Sequence, residues 1–540
     1  MITATYPITG GDYSASGAAT RALKEQLKKL GIEPEVLRRI MIASYEAEMN
    51  VVIHARRGNL WARLNQGRID IEVVDEGPGI PDIELAMKAG YSTASPQARR
   101  LGFGAGMGLP NIRKASDLFE IDSQVGRGTR VRAAIYLQKL NAVATPGNSM
   151  AVREGRCRSC LACLGACPTR ALRLRGGRPI ILQHLCIDCT ACLTACRCGA
   201  LALRQDTEEQ PALSAHQGGA LVLPLPFLNG FPQAGPAEVL EALAELGFPE
   251  PRLSEEWEAA LALAALRYAR EEAARGPVVS PVCPAAVNLI EAHFPSLLPQ
   301  LAPFLSPMEA ARDAHSLQPL AMVMACPSQA TVLHPGSLPG RLQLLSPSRL
   351  AEALRPLTAR DRAQRSEGER QQEPAQTGSA EPSREGVLRV TGVRHVLRVL
   401  EKAEAGALQG IELIEPYLCE QGCWGSPLFP EDPFLSRYRA SVTVGLRESP
   451  EGLGGWPLSL GAEPARALRR VRPFLPRSGV RLDEDMLAAM RKLARIDELV
   501  RALPGRDCGL CGAPTCASLA EDIVTGRAPE TSCPVQEHEE

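Results

Sequence analysis

The sequence predicts a multidomain chain of α/β and α+β modules, and three observations carry that expectation. The chain has 540 residues, which at about 150 residues per domain makes three or four domains. Its 17 cysteines avoid the first 156 residues and then cluster: nine between Cys157 and Cys198, four scattered from Cys283 to Cys423, and four between Cys508 and Cys533. Hydrophobic residues make up 45% and aromatics only 4%, so wholesale disorder is excluded and the cores rest on Leu, Ala, Val and Ile. The cysteine clusters mark the modules, expected over residues 1–140, 149–206, 215–480 and 485–540.

Sixty basic against 61 acidic residues leave a formal charge of −1, which offers no basis for direct nucleic-acid binding or for an anionic membrane. Met1 to Ser14 has no basic start and no apolar run, so no secretory signal is expected. The apolar stretches around Ala220–Phe231 and Ala259–Leu266 fall well short of the ~18–20 residues of a membrane span. A cytoplasmic location follows, and in a reducing cytosol closely spaced cysteines read as metal ligands rather than disulfides. A joint is expected at 141–148. The segment 359–386 contains no Val, Ile, Leu, Met or aromatic residue, while 11 of its 28 residues are charged, so it is expected to be a disordered loop.

In the first 140 residues, Leu23, Leu27 and Leu30 share one helical face that stops at Gly31, and Pro34 opens a second helix. On that helix Glu46, Asn50 and His54 recur at i, i+4 and i+8 and stack in one stripe. Ile69-Asp70-Ile71-Glu72-Val73 alternates as a half-buried strand and runs into Asp75-Glu76-Gly77-Pro78-Gly79. Gly102-Phe103-Gly104-Ala105-Gly106-Met107-Gly108 and Gly126-Arg127-Gly128-Thr129 follow. In this order the segments resemble the GHKL ATPase α/β sandwich, most closely its anti-sigma-factor serine kinase branch. The resemblance implies ATP and Mg²⁺ as ligands. It assigns Asn50 to Mg²⁺, Glu46 to the general base and Asp75 to the adenine amine, with Gly77, Gly79, Gly102, Gly104, Gly106, Gly108 and Thr129 around the nucleotide. Each role fits the residue type: a hard oxygen for Mg²⁺, a carboxylate for a hydroxyl proton, and glycine N–H groups for phosphates. His54 is read as a helix-face residue without a role.

Cys157, Cys160, Cys163 and Cys167-Pro168 follow C-x2-C-x2-C-x3-C-P, and Cys186, Cys189, Cys192 and Cys196 repeat the spacing. Three thiolates two residues apart wrap one face of a cubane, and the fourth comes from the other motif. Zinc is the rival for paired cysteines, but eight in this repeat disfavour it. The pattern resembles a bacterial two-cluster ferredoxin module. That resemblance places one 4Fe-4S cluster on Cys157, Cys160, Cys163 and Cys196, and the other on Cys186, Cys189, Cys192 and Cys167. Arg197 stands where the second proline is expected, and its cation should raise one cluster potential. Cys198 exceeds what two clusters need and is read as a small buried residue.

Val282-Cys283-Pro284, His293-Phe294-Pro295, Leu305-Ser306-Pro307-Met308, Met324-Ala325-Cys326 and Glu415-Pro416-Tyr417-Leu418-Cys419-Glu420-Gln421-Gly422-Cys423 resemble, in order, the signature segments of FeFe hydrogenase large subunits. The resemblance implies an α/β domain with a cubane on Cys283, Cys326, Cys419 and Cys423. It also exposes departures: Val282 replaces a proton-relaying cysteine, Gln329 a cyanide-binding lysine and Tyr417 a methionine. Losing a proton path and an ammonium removes acid–base function, so hydrogen turnover is not expected.

Cys508, Cys511, Cys516 and Cys533 follow C-x2-C-x4-C-x16-C, with glycines beside two of them. This resembles the small helical 4Fe-4S domain of corrinoid iron–sulfur proteins and of membrane electron-transport complexes; a zinc knuckle is the alternative. Together the modules imply four 4Fe-4S clusters beside an ATP pocket. Two functions are expected from them. One is a redox-sensing regulator whose kinase domain phosphorylates or sequesters a sigma factor, an anti-anti-sigma-type protein or a hydrogenase subunit. The other is an electron-transfer or hydrogenase-related subunit with its own redox partner.

Overall fold

The computed structural model describes residues 2–64, 68–100, 103–137, 149–207, 218–231, 233–271, 276–316, 318–333, 341–364, 385–429, 431–443, 468–470, 473–477, 482–483 and 485–535. The joint expected at 141–148 and residue Gly102 lie outside them. The fold is mixed α/β and α+β, as the sequence predicts.

Five strands, β1 (Ile2–Thr9), β2 (Arg57–Leu64), β3 (Arg68–Asp75), β4 (Leu118–Gln124) and β5 (Gly128–Tyr136), form an antiparallel sheet in the order β1-β2-β3-β5-β4. Alternation buries Ile69, Ile71 and Val73 of β3 on one face, which α2 (Pro34–His54) covers by crossing β1, β2, β3 and β5. Each such apolar side chain contributes about 1.5–3 kcal/mol. Helix α1 (Ala18–Lys28) packs on α2 through Leu23 and Leu27. Its first amides are capped from α2: Ala19 and Thr20 N–H donate to the buried Glu48 carboxylate at 3.1 and 2.9 Å. It ends before the expected Leu30 because the Leu30 and Gly31 amides turn back to the Leu27 and Lys28 carbonyls, each at 3.1 Å. Three short helices follow β3: α3 (Ile83–Ala86), α4 (Pro96–Arg100) and α5 (Gly108–Ala115).

The eight-cysteine segment has two short hairpin-like pairs, Met150–Val152 with Leu201–Leu203 and Leu172–Arg175 with Arg178–Ile181. Beyond it stands a four-stranded parallel sheet whose strands Leu320–Val323 and Leu342–Leu345 are wholly buried, the continuous apolar run that a sheet covered on both faces demands. A three-stranded parallel sheet pairs Val278–Val279, Leu413–Tyr417 and Val387–Thr391. The loop expected over 359–386 is corrected at both ends: the Pro347–Gln364 helix runs into it, and Glu385 and Gly386 form a turn before Val387. A helix already started can extend through polar residues of good propensity. Residues 365–384 lie outside the described residues.

The last helices, Met486–Ala502 and Cys516–Val524, return to the first domain and share its apolar core. Lys29, at the C-cap of α1, pairs with Glu521 at 2.8 Å. On the other side the fully buried Asp522 carboxylate meets Arg173 at 2.5 Å, Arg175 at 2.8 Å and Arg527 at 3.1 Å. Thus the carboxy-terminal cysteine segment wedges between the first sheet domain and the eight-cysteine segment. Among the described residues no helix is long and apolar enough to cross a membrane.

Candidate functional site

A cavity of about 750 Å³ opens beside α2. It is lined by Glu46, Asn50, Asp75, Gly79, Gly104, Gly106, Gly108 and Thr129, so most of the residues expected at the nucleotide come together. Gly77 stays behind the wall, its N–H donating to Asp75 Oδ1 at 2.7 Å. Thr129 N–H donates to the same oxygen at 3.2 Å. Burial raises the Asp75 carboxyl despite these two bonds. His54, read as idle, lines the same cavity, and burial lowers its imidazole.

The two ends of the cavity follow α2. A Cβ on Gly77 would touch both Asp75 and Ala55, at the helix's end. Glu46 and Asn50 lie two turns or so earlier, facing the start of α5: a Cβ on Gly108 would come within 3.0 Å of Asn50 Oδ1 and 3.4 Å of Glu46 Oε2. Gly106, at φ +74°, lies so close to Gly90 that a Cβ would meet its carbonyl carbon at 2.4 Å. Glycine therefore keeps open the space that phosphates and a metal ion would take, beside an amide oxygen and a carboxylate of the right chemistry. Burial raises the Glu46 carboxyl, and Asn111 Nδ2 holds its Oε1 at 2.6 Å. Asn111 was not singled out in the sequence; its position one turn into α5 was the available signal. The far wall comes from another part of the chain: Lys402 and residues 405–409, at the end of the Val393–Glu404 helix.

The cysteines gather in sets. Burial first, then the neighbouring Cys196, Cys157 and Cys160, push the Cys163 thiol up to about 11. Burial pushes Cys189 up to about 12, with Cys167 among its neighbours; Cys192 is raised by burial, then by Cys189 and Cys167. Cys192 also has Cys163 nearby, so thiols of both motifs gather together. The two loops are also built alike: Ser159 and Leu161 in one, Asp188 and Thr190 in the other, take positive φ of 52° to 67° without being glycine. That conformation costs about 1 kcal/mol or more per residue and turns N–H groups inward. Ala171 and Ala200, each four residues past a cysteine, donate N–H to Cys167 Sγ at 3.2 Å and Cys196 Sγ at 3.3 Å. Such donors suit anionic sulfur. Because burial opposes bare thiolates, a cationic iron core is the natural compensation. Cys198 is not buried as expected; it is half-exposed, its Sγ 3.6 Å from that of Cys196.

Burial, then Cys283, pushes Cys326 up to about 12. Cys423 is raised by burial, with Glu258, Cys283, Cys326 and Cys419 around it. The departures from hydrogenase signatures are satisfied internally. Gln329 Oε1 accepts the Ala325 N–H at 2.6 Å, the Tyr417 hydroxyl donates to the half-buried Glu258, and Ser426 donates to the Ala325 carbonyl. Val282 and Tyr417 lie in one apolar cluster with Met308 and Met324. In the last set, burial raises Cys511, with Cys533 and Cys508 nearby, and Cys516 opens its helix with its N–H held by Asp507 at 2.7 Å. Among the described residues no three His, Cys, Asp or Glu side chains are drawn together as a single metal ion requires.

Residues 36–139 match the family of histidine kinase-, DNA gyrase B- and HSP90-like ATPases, residues 231–314 the C-terminal domain of the iron only hydrogenase large subunit, and residues 503–535 an Fe-S cluster family. The serine/threonine-protein kinase RsbT of Bacillus subtilis is 30% identical over 125 residues, 22% of this chain and 88% of that protein. The anti-sigma F factor of Caldanaerobacter subterraneus subsp. tengcongensis is 36% identical over 103 residues, 18% of this chain and 68% of that protein. A FeFe-hydrogenase structure, HydA1 from Chlamydomonas reinhardtii, is 14% identical and covers 47% of this chain and 89% of its own, at a TM-score of 0.33.

Proposed function

Because the chain belongs, through its first domain, to the ATPase family that includes the serine/threonine-protein kinase RsbT and the anti-sigma F factors, and joins that domain to iron–sulfur and hydrogenase-like segments, we propose that it is a redox-sensing regulator. In this reading four 4Fe-4S clusters control a kinase domain that phosphorylates or sequesters a protein partner such as a sigma factor or an anti-anti-sigma-type protein. The observation that carries it is the shared wall of the nucleotide cavity, which Lys402 and residues 405–409 of the hydrogenase-like part of the chain line together with Glu46 and Asn50. Bound ATP supplies the phosphoryl group and Mg²⁺ the charge that steadies it. Asn50 holds the metal, Asp75 orients the adenine, and Glu46 takes the proton from a serine or threonine hydroxyl of the partner.

The thiol sets adjoin one another, which suits both sensing and electron transfer. Cys163 neighbours Cys192 of the second set, Cys189 of that set neighbours Cys419 of the third, and Gly509 of the fourth lies against Leu161 and Leu164 of the first. Electrons entering at the exposed Cys160 or Cys508 would travel along this line. An electron-transfer subunit is therefore the second reading. Val282 stands where the hydrogenase signature has a proton-relaying cysteine and Gln329 where it has a lysine, so in this reading no hydrogen is turned over.

The test uses anaerobically purified holoprotein with labelled ATP and a candidate partner, oxidised and dithionite-reduced. Phosphate should appear on partner serine or threonine at rates differing by about 5- to 150-fold, the usual span of a coupling free energy. Equal rates would leave electron transfer as the better reading, and infrared bands of iron-bound CO or cyanide would restore hydrogenase chemistry. Within the clusters, Arg197 is exposed but still adds a cation beside one of them. Arg197→Pro should lower one of the potentials in a redox titration, and an unchanged titration would refute the role given to Arg197.

A further inference from the structure

The nucleotide cavity is chemically unbalanced without the hydrogenase-like domain. Glu46, Asp75 and Asp82 line it, whereas among its described lining residues the only ammonium or guanidinium belongs to Lys402. A triphosphate placed there would otherwise meet carboxylates with a metal ion as its sole counter-charge. A second cavity, about 550 Å³, adjoins the first, and the two share Ser16, Tyr45, Lys402 and Ala405. Lys402 thus lines the cavity together with Tyr45, the residue before Glu46 on α2.

We propose that Lys402 binds the terminal phosphate of ATP, so that the hydrogenase-like domain completes the nucleotide site and separates ATP from ADP. An ammonium against phosphate oxygens makes a charge-assisted hydrogen bond, and Lys402, in the last turn of its helix, also offsets the negative end of the helix dipole. The same helix leads to the third thiol set. Its N-cap Gly392 donates N–H to the carbonyls of Tyr417 and Cys419 at 3.0 and 3.2 Å. Gly392 has φ +85°, and a Cβ there would lie 2.3 Å from Glu420 Oε1. The 12 residues Val393–Glu404 reach about 18 Å. Val396 and Leu400 are fully buried along that length. At the far end the buried Glu404 pairs with Lys24 of α1 and accepts from Ser296. One rigid helix therefore runs from a cluster cysteine loop to the nucleotide and is tied to the ATPase domain beside it. The proposal rests on reading the cavity as a nucleotide site and names the residue through which the cluster domain senses the phosphate.

Equilibrium titration of the full-length holoprotein with ATP and with ADP, each with Mg²⁺, tests it. Lys402 is exposed, so Lys402→Ala should keep the wild-type melting temperature. It should weaken ATP about tenfold or more, the usual worth of a hydrogen bond to a charged group, and change ADP less than about threefold; Lys402→Arg should restore most of the difference. Equal loss for both nucleotides, or no loss for ATP, overturns the proposal. The two failures are separable. If Lys402→Ala loses ATP selectivity while phosphoryl transfer ignores reduction, redox sensing fails and this site stands. If transfer responds to reduction while the variant binds ATP normally, only this site fails.

Discussion

Asp522→Ala should destabilise the holoprotein by about 3–5 kcal/mol in anaerobic denaturant unfolding, because it strands buried guanidinium groups without a counter-charge. Asp522 is fully buried, and Arg173, also buried, reaches it across 349 residues of sequence. Arg175 adds a second bond to the same carboxylate and one to the Cys511 carbonyl at 2.8 Å. This carboxylate thus holds the carboxy-terminal cysteine segment onto the eight-cysteine segment. The pair need not be better than an apolar contact, since burial of both charges is costly in itself. The double variant Arg173→Met, Asp522→Leu should therefore recover a large part of the loss. A single variant within about 1 kcal/mol of the parent would mean that the two segments are held by their other contacts.

Glu46→Gln should reduce phosphoryl transfer by about 10²- to 10⁴-fold, the range for removing a general base, while leaving ATP affinity within a few-fold. The amide oxygen of glutamine can still accept from Asn111, so the geometry of the site survives and the proton acceptor does not. The pH dependence has a definite sign. A base acts when deprotonated, and burial raises the Glu46 carboxyl, so the rate should fall on acidification from a higher pH than an ordinary glutamate would give. A variant that transfers phosphate normally would leave the domain as a binding module that sequesters its partner.

Motifs written in local spacing were legible in the sequence. The C-x2-C repeats marked two matching cysteine loops, and positive φ at corresponding positions of both is what lets so short a spacing turn tightly. The stripe Glu46–Asn50–His54 on α2 fixed one wall of the cavity, and the alternation of β3 fixed the strand that ends at Asp75. What escaped was set by contacts distant in sequence. Asn111 reaches Glu46 across 65 residues, and Lys402 enters the cavity from a distant part of the chain. Asn111 had only its place one turn into α5 to mark it, and Lys402 carries no periodic or spacing signal. The pairing of Asp522 with Arg173 and Arg175 was hidden for the same reason. Cys198 misled because small size suggests burial, whereas the turn after Cys196 leaves it half-exposed beside that thiol. The helix to Gln364 exceeded its composition because it continues an element begun at Pro347.

The central claim is that the state of the clusters reaches the nucleotide. The most direct measurement is the ATP dissociation constant of one anaerobic holoprotein preparation, first oxidised and then reduced with dithionite. A difference of about fivefold or more, reversed on reoxidation, is the predicted result; identical affinities in both states would contradict it.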